Sequence, residues 1–310
     1  MLRRVCTIAA NSYRESVRAR ILHGLFALAA GTAGYALVVG AYALQDTLRV
    51  VSDLGAASVS LYGLLVAVVI GATSLYREIE LKTVFPILAR PIRRWEYILG
   101  KFLGTWLTLA VFIVANTGIL LGAIAALSGK NPWLVVALWI VMTGLTAIVV
   151  AFANRFRTFA VLPWALAVFI VGWCMAGSAP DDRQVLTASA ALTLCEVAII
   201  SSIATVFSSF SSPFLTALLT FGVLIVGRSA DTLMHLPARL FGGPLVKVAS
   251  ALGAVVPNLM IYLPPRSLLT GELSGITVTG YVARSASHAL GWCVMLLALA
   301  SAIFHRRDFQ

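Results

Sequence analysis

Residues 76–104 read YREIELKTVFPILARPIRRWEYILGKFLG, a charged stretch between two long apolar runs. Acidic and basic side chains surround the apolar group VFPIL at 84–88, and Pro91 disfavours a helical conformation at Arg90. Exposed apolar side chains set between charges are typical of a surface that another protein binds. An ordinary basic loop between two membrane helices is the alternative interpretation, although such a loop has no need of the apolar group. The stretch therefore predicts a docking element of a membrane protein.

The composition predicts a protein that crosses a membrane several times. Of the 310 residues, 60% are apolar and 11% are charged, a balance typical of polytopic membrane proteins. A net charge of +11 would indicate nucleic-acid binding in a soluble protein, but here the arginines flank apolar runs and anchor them at one membrane face. No nucleic-acid partner is therefore expected. Four widely separated cysteines indicate neither a disulfide framework nor a metal cluster: Cys6, Cys174, Cys195 and Cys293.

About eight apolar runs are candidates for membrane-spanning helices, because a bilayer core about 30 Å thick takes roughly 20 residues. The runs cover 21–44, 58–75, 97–126, 133–153, 159–175, 185–207, 213–226 and 288–304. If the N-terminus is cytosolic and the runs alternate in direction, most of the 23 basic residues fall in cytosolic segments, as the positive-inside rule requires. Both termini are then expected in the cytosol.

Two further segments have an expected place beside the spans. Residues 1–20 predict an amphipathic helix at the inner membrane interface, because apolar residues recur every three or four positions and arginines gather on the opposite side. Residues 229–287 predict an extracytoplasmic segment that is partly re-entrant. Its apolar stretch 245–263 contains Lys247 and Pro257, so we interpret this stretch as embedded in the membrane without crossing it.

The 97–126 helix carries small residues along one side. Residues eighteen apart in a helix are separated by five full turns, so glycines at this spacing share a face. Small residues on a shared face let another helix approach closely. The partner is either a helix of the same chain or a helix of a second protomer. The glycines are Gly100, Gly104, Gly118 and Gly122.

Glu196 is the one clear charge inside a predicted span. Its insertion cost of roughly 2.5–3.5 kcal/mol is offset by the apolar residues of the same helix. A contact with substrate or protons and a buried hydrogen bond to a neighbouring helix both stay open as its role. The sequence contains no H-E-x-x-H, G-x-S-x-G or P-loop motif. We therefore expect no catalytic residue, no metal site and no cofactor bound by this chain.

The chain resembles the permease subunits of ABC-2 type exporters, in the branch that includes permeases of copper-enzyme maturation and gliding motility. The resemblance runs through 11–22, 52–71, 76–104, 207–220, 256–263 and 304–309. Its most specific part is an E-x-x-x-x-T, R-P-x-x-R and G-K run. That run is carried by Glu78, Thr83, Arg90, Pro91, Arg94, Gly100 and Lys101.

The resemblance implies an all-α polytopic fold, the type V exporter-like transmembrane domain, occupying residues 1–310 as one domain. About eight membrane helices are expected, as a six-helix core plus an additional hairpin over 133–183, where members of this branch usually have almost no insertion. The resemblance also implies that a cytosolic coupling helix in the region 76–96 sits in a groove of a separate ATPase. The docking residues would be Glu78, Glu80, Lys82, Thr83, Phe85, Leu88, Arg90 and Arg94. A second, smaller cytosolic contact would use Ser209, Phe210 and Ser211.

The expected function is a dimeric permease of the bacterial cytoplasmic (inner) membrane, made of two permease protomers and moved by two ABC ATPase subunits. ATP and Mg²⁺ would be bound by the ATPase subunits. Apolar walls favour export of a lipid-like or amphipathic substrate. The alternative is mechanotransmission, in which the motion passes through 229–287 to an extracytoplasmic or accessory membrane protein and nothing is transported. Membrane lipids are the remaining expected partner.

Overall fold

The computed structural model describes residues 2–18, 20–42, 46–80, 93–152, 158–235, 243–272 and 275–306. Across these ranges the regular elements are all helices, which confirms the all-α class. The helices are α1 (Leu2–Arg18), α2 (Arg20–Tyr42), α3 (Thr47–Glu80), α4 (Arg94–Leu127), α5 (Pro132–Phe152), α6 (Val161–Met175), α7 (Pro180–Ser208), α8 (Pro213–Arg228), α9 (Ala230–Met234), α10 (Gly243–Val255), α11 (Arg266–Leu269) and α12 (Val278–Arg306).

Six helices of the described part are long and apolar enough to cross a membrane. They span Thr47–Thr73, Arg94–Leu127, Pro132–Phe152, Val161–Ser178, Pro180–Ser208 and Val278–His305. The predicted run 21–44 corresponds to α2, in which Ala27–Gly40 is an apolar stretch, and the run 213–226 corresponds to the shorter apolar helix α8, Pro213–Arg228. The re-entrant stretch 245–263 holds α10 and a single 3₁₀ turn, Met260–Tyr262. The chain is thus a multi-pass membrane protein.

Several helices begin well before the apolar runs that predicted them. The last run starts at 288, whereas α12 starts at Val278, and α3 starts at Thr47 where the run starts at 58. Hydropathy marks only the turns inside the membrane core, so polar first turns are missed. In α7 these first turns carry Pro180 at N1 and the acidic Asp181 and Asp182, which suit a helix N-terminus.

The core is formed where α3 and α7 run side by side in the same direction and α4 packs against both of them in the opposite direction. Gly63 of α3 lies beside Ile113 of α4, and Gly71 of α3 lies against Ala204 of α7. Ile113 and Ala204 are fully buried. Apolar side chains from the three helices fill this contact, including Leu109, Leu192 and Ile199.

The helix bundle has two ends, each of which carries ion pairs. The proximal end holds α1, the start of α4 and the end of α12, and the distal end holds the starts of α3, α7 and α12. At the proximal end the Arg94 guanidinium donates to the carbonyls of Phe304 (3.0 Å) and His305 (2.7 Å). A cation at these last carbonyls of α12 favours the helix C-terminus.

All four glycines of α4 contact helices of the same chain. Gly100 lies against Ile8 and Gly104 against Ala9 of α1, so a Cβ at Gly104 would stand 2.5 Å from the Ala9 carbonyl oxygen. Gly118 lies against the backbone of α6 at Phe169, and Gly122 lies against the Trp139 ring of α5. The close approach therefore serves the packing of α4 against α1, α5 and α6.

The amphipathic helix α1 buries its apolar side against α4. Val5 and Tyr13 are buried, whereas Leu2 at the start of the helix is exposed. The Tyr13 ring stacks on Phe159 at 5.6 Å between centroids. In contrast, α5 buries only Val135, packs Trp139 on Gly122 of α4 and leaves most of its other apolar side chains exposed to lipid or to a second protein.

Candidate functional site

The predicted coupling helix falls largely outside the described residues, and the described elements on either side of it, the end of α3 and the start of α4, lie at the proximal end. Glu78 and Glu80 belong to the last turn of α3. Five of the predicted docking residues lie outside the described residues: Lys82, Thr83, Phe85, Leu88 and Arg90. Arg94 is the first residue of α4 and is the one that binds the α12 carbonyls. The predicted docking segment is therefore bracketed by α3 and α4, each 34 residues long.

The start of α4 is also tied to α1 by ion pairs. Glu96 is buried and accepts from the Arg93 backbone N–H at 3.1 Å, and the Arg4 guanidinium lies 4.0 Å from it. The Lys101 ammonium, which is buried, donates to Glu15 at 3.4 Å. Sequence reasoning did not find these pairs, although the G-K run that contains Lys101 was a signal.

The predicted second contact forms a closed bend after α7. The Ser209 hydroxyl donates to the Val206 carbonyl at 2.6 Å, and the Ser211 hydroxyl donates to the Phe207 carbonyl at 2.7 Å. The Phe210 side chain is exposed and lies edge-on to the Phe207 ring. The serines therefore hold the bend, and Phe210 is the member of the trio that another protein could contact.

Glu196 is paired, which the sequence did not reveal. Its side chain is completely buried, and the Arg228 guanidinium donates to both of its carboxylate oxygens at 2.9 and 3.0 Å. Arg228 also donates to the Ser60 hydroxyl at 2.9 Å. We call these three residues the mid-bundle cluster, and it joins α3, α7 and α8.

The pairing was missed because the predicted span ended at 226, whereas α8 continues to Arg228. The chain then returns to this point, since the Leu259 N–H donates to the Gly227 carbonyl at 2.9 Å. A bidentate arginine–carboxylate pair is a strong charge-assisted interaction, so the Glu196 charge is balanced within the bundle. A structural hydrogen-bonded role is the one this geometry favours.

A second ion-pair cluster lies at the distal end. Arg266 of α11 donates to Asp53 of α3, to Asp182 of α7 and, at 2.9 Å, to the Ser52 hydroxyl. The Ser52 hydroxyl in turn donates to Asp182 at 2.8 Å. Burial alone lowers the pKa of Arg266, but the hydrogen bonds to Asp182 and Asp53 outweigh it and raise the pKa. We call this group the distal cluster.

No local pattern predicts the distal cluster, because its members lie far apart along the chain. A cavity of about 270 Å³ extends beside it, lined by Asp53, Arg266 and the hydroxyl-bearing Ser60, Ser189 and Thr193. Since Ser60 also belongs to the mid-bundle cluster, the cavity connects the two clusters. Among the described residues, no three His, Cys, Asp or Glu side chains are placed to hold a metal ion.

A comparison with protein families gives a match that spans nearly the whole chain. Residues 6–309 match the family model described as ABC-2 family transporter protein. No curated protein matches the chain.

Proposed function

The chain belongs to the ABC-2 family of transporter proteins, and we propose that it is a dimeric permease that separate ATPase subunits drive through the segment between α3 and α4. Family membership already makes the chain a membrane component of an ABC transporter. The proposal adds the docking site, the two ATPase copies, the second permease protomer and a lipid-like or amphipathic cargo. It also places both termini and the docking segment in the cytosol.

The observation that carries this proposal is the pair of long helices that flank the docking segment. At 1.5 Å per residue, the 34 residues of α3 and of α4 each extend about 51 Å, more than the bilayer core requires. The two helices contact each other at Gly63 and Ile113 and again at Gly55 and Leu120. A displacement of the docking segment would therefore move two rigid, mutually packed helices together, and these helices would carry the motion across the full depth of the membrane.

The distal cluster supports transmission to the opposite end. Asp53 is in the second turn of α3, and its ion pair with Arg266 joins α3 to the segment that contains α11. Motion that enters α3 at the docking segment would reach this segment through a charge-assisted contact. The same link favours the second candidate function, mechanotransmission to an extracytoplasmic partner, in which the distal segment is the output and no cargo crosses.

The exposed apolar faces support a lipid-like cargo in the exporter interpretation. Three helices present large apolar side chains on the outside of the protomer, with Ile140 on α5, Phe221 on α8 and Leu290 on α12 as examples. A second protomer or lipid would cover these faces. Whether a second protomer or lipid lies beside it, the outer surface of the protomer is apolar. A path along such a surface suits an amphipathic cargo better than small ions.

The docking proposal is tested by co-purification of this chain with the proposed ABC ATPase subunit. The double variant Glu78→Lys with Phe85→Asp should lose the ATPase while still inserting into the membrane. Glu272→Lys, a charge reversal at an exposed distal position, is the matched control and should keep the ATPase. Retention of the ATPase by the double variant would overturn the docking assignment.

The two candidate functions differ in their output. An exporter should move a labelled amphiphile across proteoliposomes in an ATP-dependent way. In a mechanotransmitter complex the ATPase subunits should hydrolyse ATP at the same rate as in an exporter, but no labelled amphiphile should cross the membrane. Such a complex should also bind an extracytoplasmic partner stably.

A further inference from the structure

A large open pocket lies at the distal end, and none of the residues of the two ion-pair clusters lines it. Its volume is about 880 Å³, within the range of small-molecule and cofactor sites. It is formed between α7 and the first turns of α12, with the end of α6 at its rim. None of the predicted functional residues belongs to it.

The long walls of the pocket are apolar and built from small side chains. Ala188 and Ala191 line it from α7, and Val282 and Ala286 line it from α12. Each small side chain leaves room that a larger one would fill, so the pocket is a slot along two helices. Such a slot accepts an acyl chain, because burial of methylene groups is favourable at about 0.8 kcal/mol each.

A cation stands at the rim of this slot. The Arg183 guanidinium lies 4.4 Å from the centre of the Trp173 ring, a geometry that holds the cation in place over the aromatic face. Among the described residues, Arg183 has no carboxylate within ion-pair distance, since its neighbour Asp182 is engaged by Arg266. The half-buried Arg183 is therefore a positioned positive charge whose counter-ion is not supplied by the described chain.

Trp173 fixes the depth of this cation. It lies near the end of a membrane helix and is half-exposed, as expected of the aromatic residues that mark the level of lipid headgroups. An apolar slot that runs along two membrane helices and ends at a positive charge at this level matches the two parts of an anionic phospholipid. Neither a soluble anion nor a neutral lipid matches both parts.

We propose that this pocket binds an anionic phospholipid, with an acyl chain between α7 and α12 and the phosphate paired with Arg183. The proposal that this lipid represents the class of cargo rests on the proposed function. Binding itself requires no ATPase. The Thr277 side chain also lines the pocket, and its oxygen accepts from the Gly280 N–H, so its hydroxyl hydrogen is available to donate to the headgroup.

The test is native mass spectrometry of the purified full-length chain with two lipids that share the same acyl chains, phosphatidylglycerol and diacylglycerol, which lacks the phosphate. The wild type should bind phosphatidylglycerol at least about tenfold more tightly, since a hydrogen bond to a charged group is worth about that ratio. Arg183→Gln should remove the preference, and Arg183→Lys should keep most of it. Ala286→Trp should weaken binding of both lipids by filling the slot.

Arg284→Gln is the matched control. Arg284 is an exposed arginine on the same helix end that does not line the pocket, so its loss should leave the preference unchanged. An equal preference in wild type and Arg183→Gln, or an equal loss in Arg284→Gln, would overturn the proposal. Free glycerol phosphate should not compete, and full competition by it would show a simple anion site without the acyl chain.

Two measurements keep the outcomes distinct. Circular dichroism and size-exclusion chromatography of each variant identify a loss of fold, and in that case Arg183→Lys and Ala286→Trp carry the test. ATPase co-purification of the same variants should be unchanged. If the wild-type chain co-purifies with the ATPase but shows no preference between the two lipids, only this inference is overturned. If it shows the lipid preference but does not bind the ATPase, only the docking proposal is overturned.

Discussion

Removal of Arg228 should destabilise the protein more than removal of its partner Glu196. The Arg228→Met variant leaves a carboxylate whose side chain has 0% exposure without its counter-ion, and loss of one partner of a buried pair costs about 3–5 kcal/mol. The Glu196→Gln variant leaves Arg228, whose side chain is 30% exposed, able to keep water and the Ser60 contact. Its cost should be nearer to about 1–2 kcal/mol.

Replacement of both residues should recover most of the loss. The double variant Glu196→Leu with Arg228→Met exchanges the pair for apolar side chains, which is often neutral or stabilising for buried pairs. At about 2–4 °C per kcal/mol, Arg228→Met should lower the melting temperature by roughly 10 °C, and the double variant should lie within a few degrees of wild type. The melting temperature in detergent micelles, followed by tryptophan fluorescence, measures this order.

Arg284→Met is the control for the loss of one positive charge, because Arg284 is exposed, and its melting temperature should equal that of wild type. Equal melting temperatures for Arg228→Met and Glu196→Gln would refute the argument from burial. A double variant as unstable as Arg228→Met would show that the side chains matter through shape and not through charge.

Three further outcomes are expected. Gly104→Leu should release α1, because its Cβ would lie 2.5 Å from the Ala9 carbonyl oxygen. Limited proteolysis of this variant should then cut the chain before α2. The control Gly222→Leu, at a site where a Cβ would have nothing within 4 Å, should stay resistant to the protease. Arg266→Gln should speed hydrogen exchange at 260–269, whereas Lys247→Gln should not, and unchanged exchange would contradict the role of the distal cluster. Burial raises the pKa of Tyr13 from 10.0 to about 12. As the pH rises from 10 to 12, the unfolded state therefore loses the phenol proton before the folded state does, and the stability of the protein should fall. The stability of Tyr13→Phe should fall less over this range, and an identical pH profile for the two proteins would contradict a buried phenol.

The all-α class and the places of the membrane helices were predictable because apolar length is a local property. The two helices α5 and α6 within 133–183 were visible for the same reason, whereas their being an addition to a six-helix core stays a prediction. Helix starts were less accurate, since the polar first turns of α3 and α12 carry no hydropathy signal. Amphipathic periodicity in 1–20 predicted a helix, but periodicity alone does not tell whether its apolar side meets lipid or another helix, and here that side contacts α4.

The two charge clusters were not predictable from the sequence. Ser60, Glu196 and Arg228 lie on three different helices, and Asp53, Asp182 and Arg266 lie equally far apart. Only the tertiary fold brings each set together, and no spacing rule connects them. Arg228 was additionally hidden because it follows the apolar run by two positions and reads as an ordinary flanking charge.

The central claim is that the segment between α3 and α4 faces the compartment of the ATPase and that the distal cluster faces the opposite one. A membrane-impermeant maleimide tests it on two single-cysteine variants, Phe85→Cys and Glu272→Cys, in a background with the four native cysteines replaced. Glu272→Cys should be labelled in intact cells, whereas Phe85→Cys should be labelled only in inside-out vesicles and should be protected by added ATPase. Labelling of Phe85→Cys in intact cells, or labelling that the ATPase does not reduce, would contradict the account.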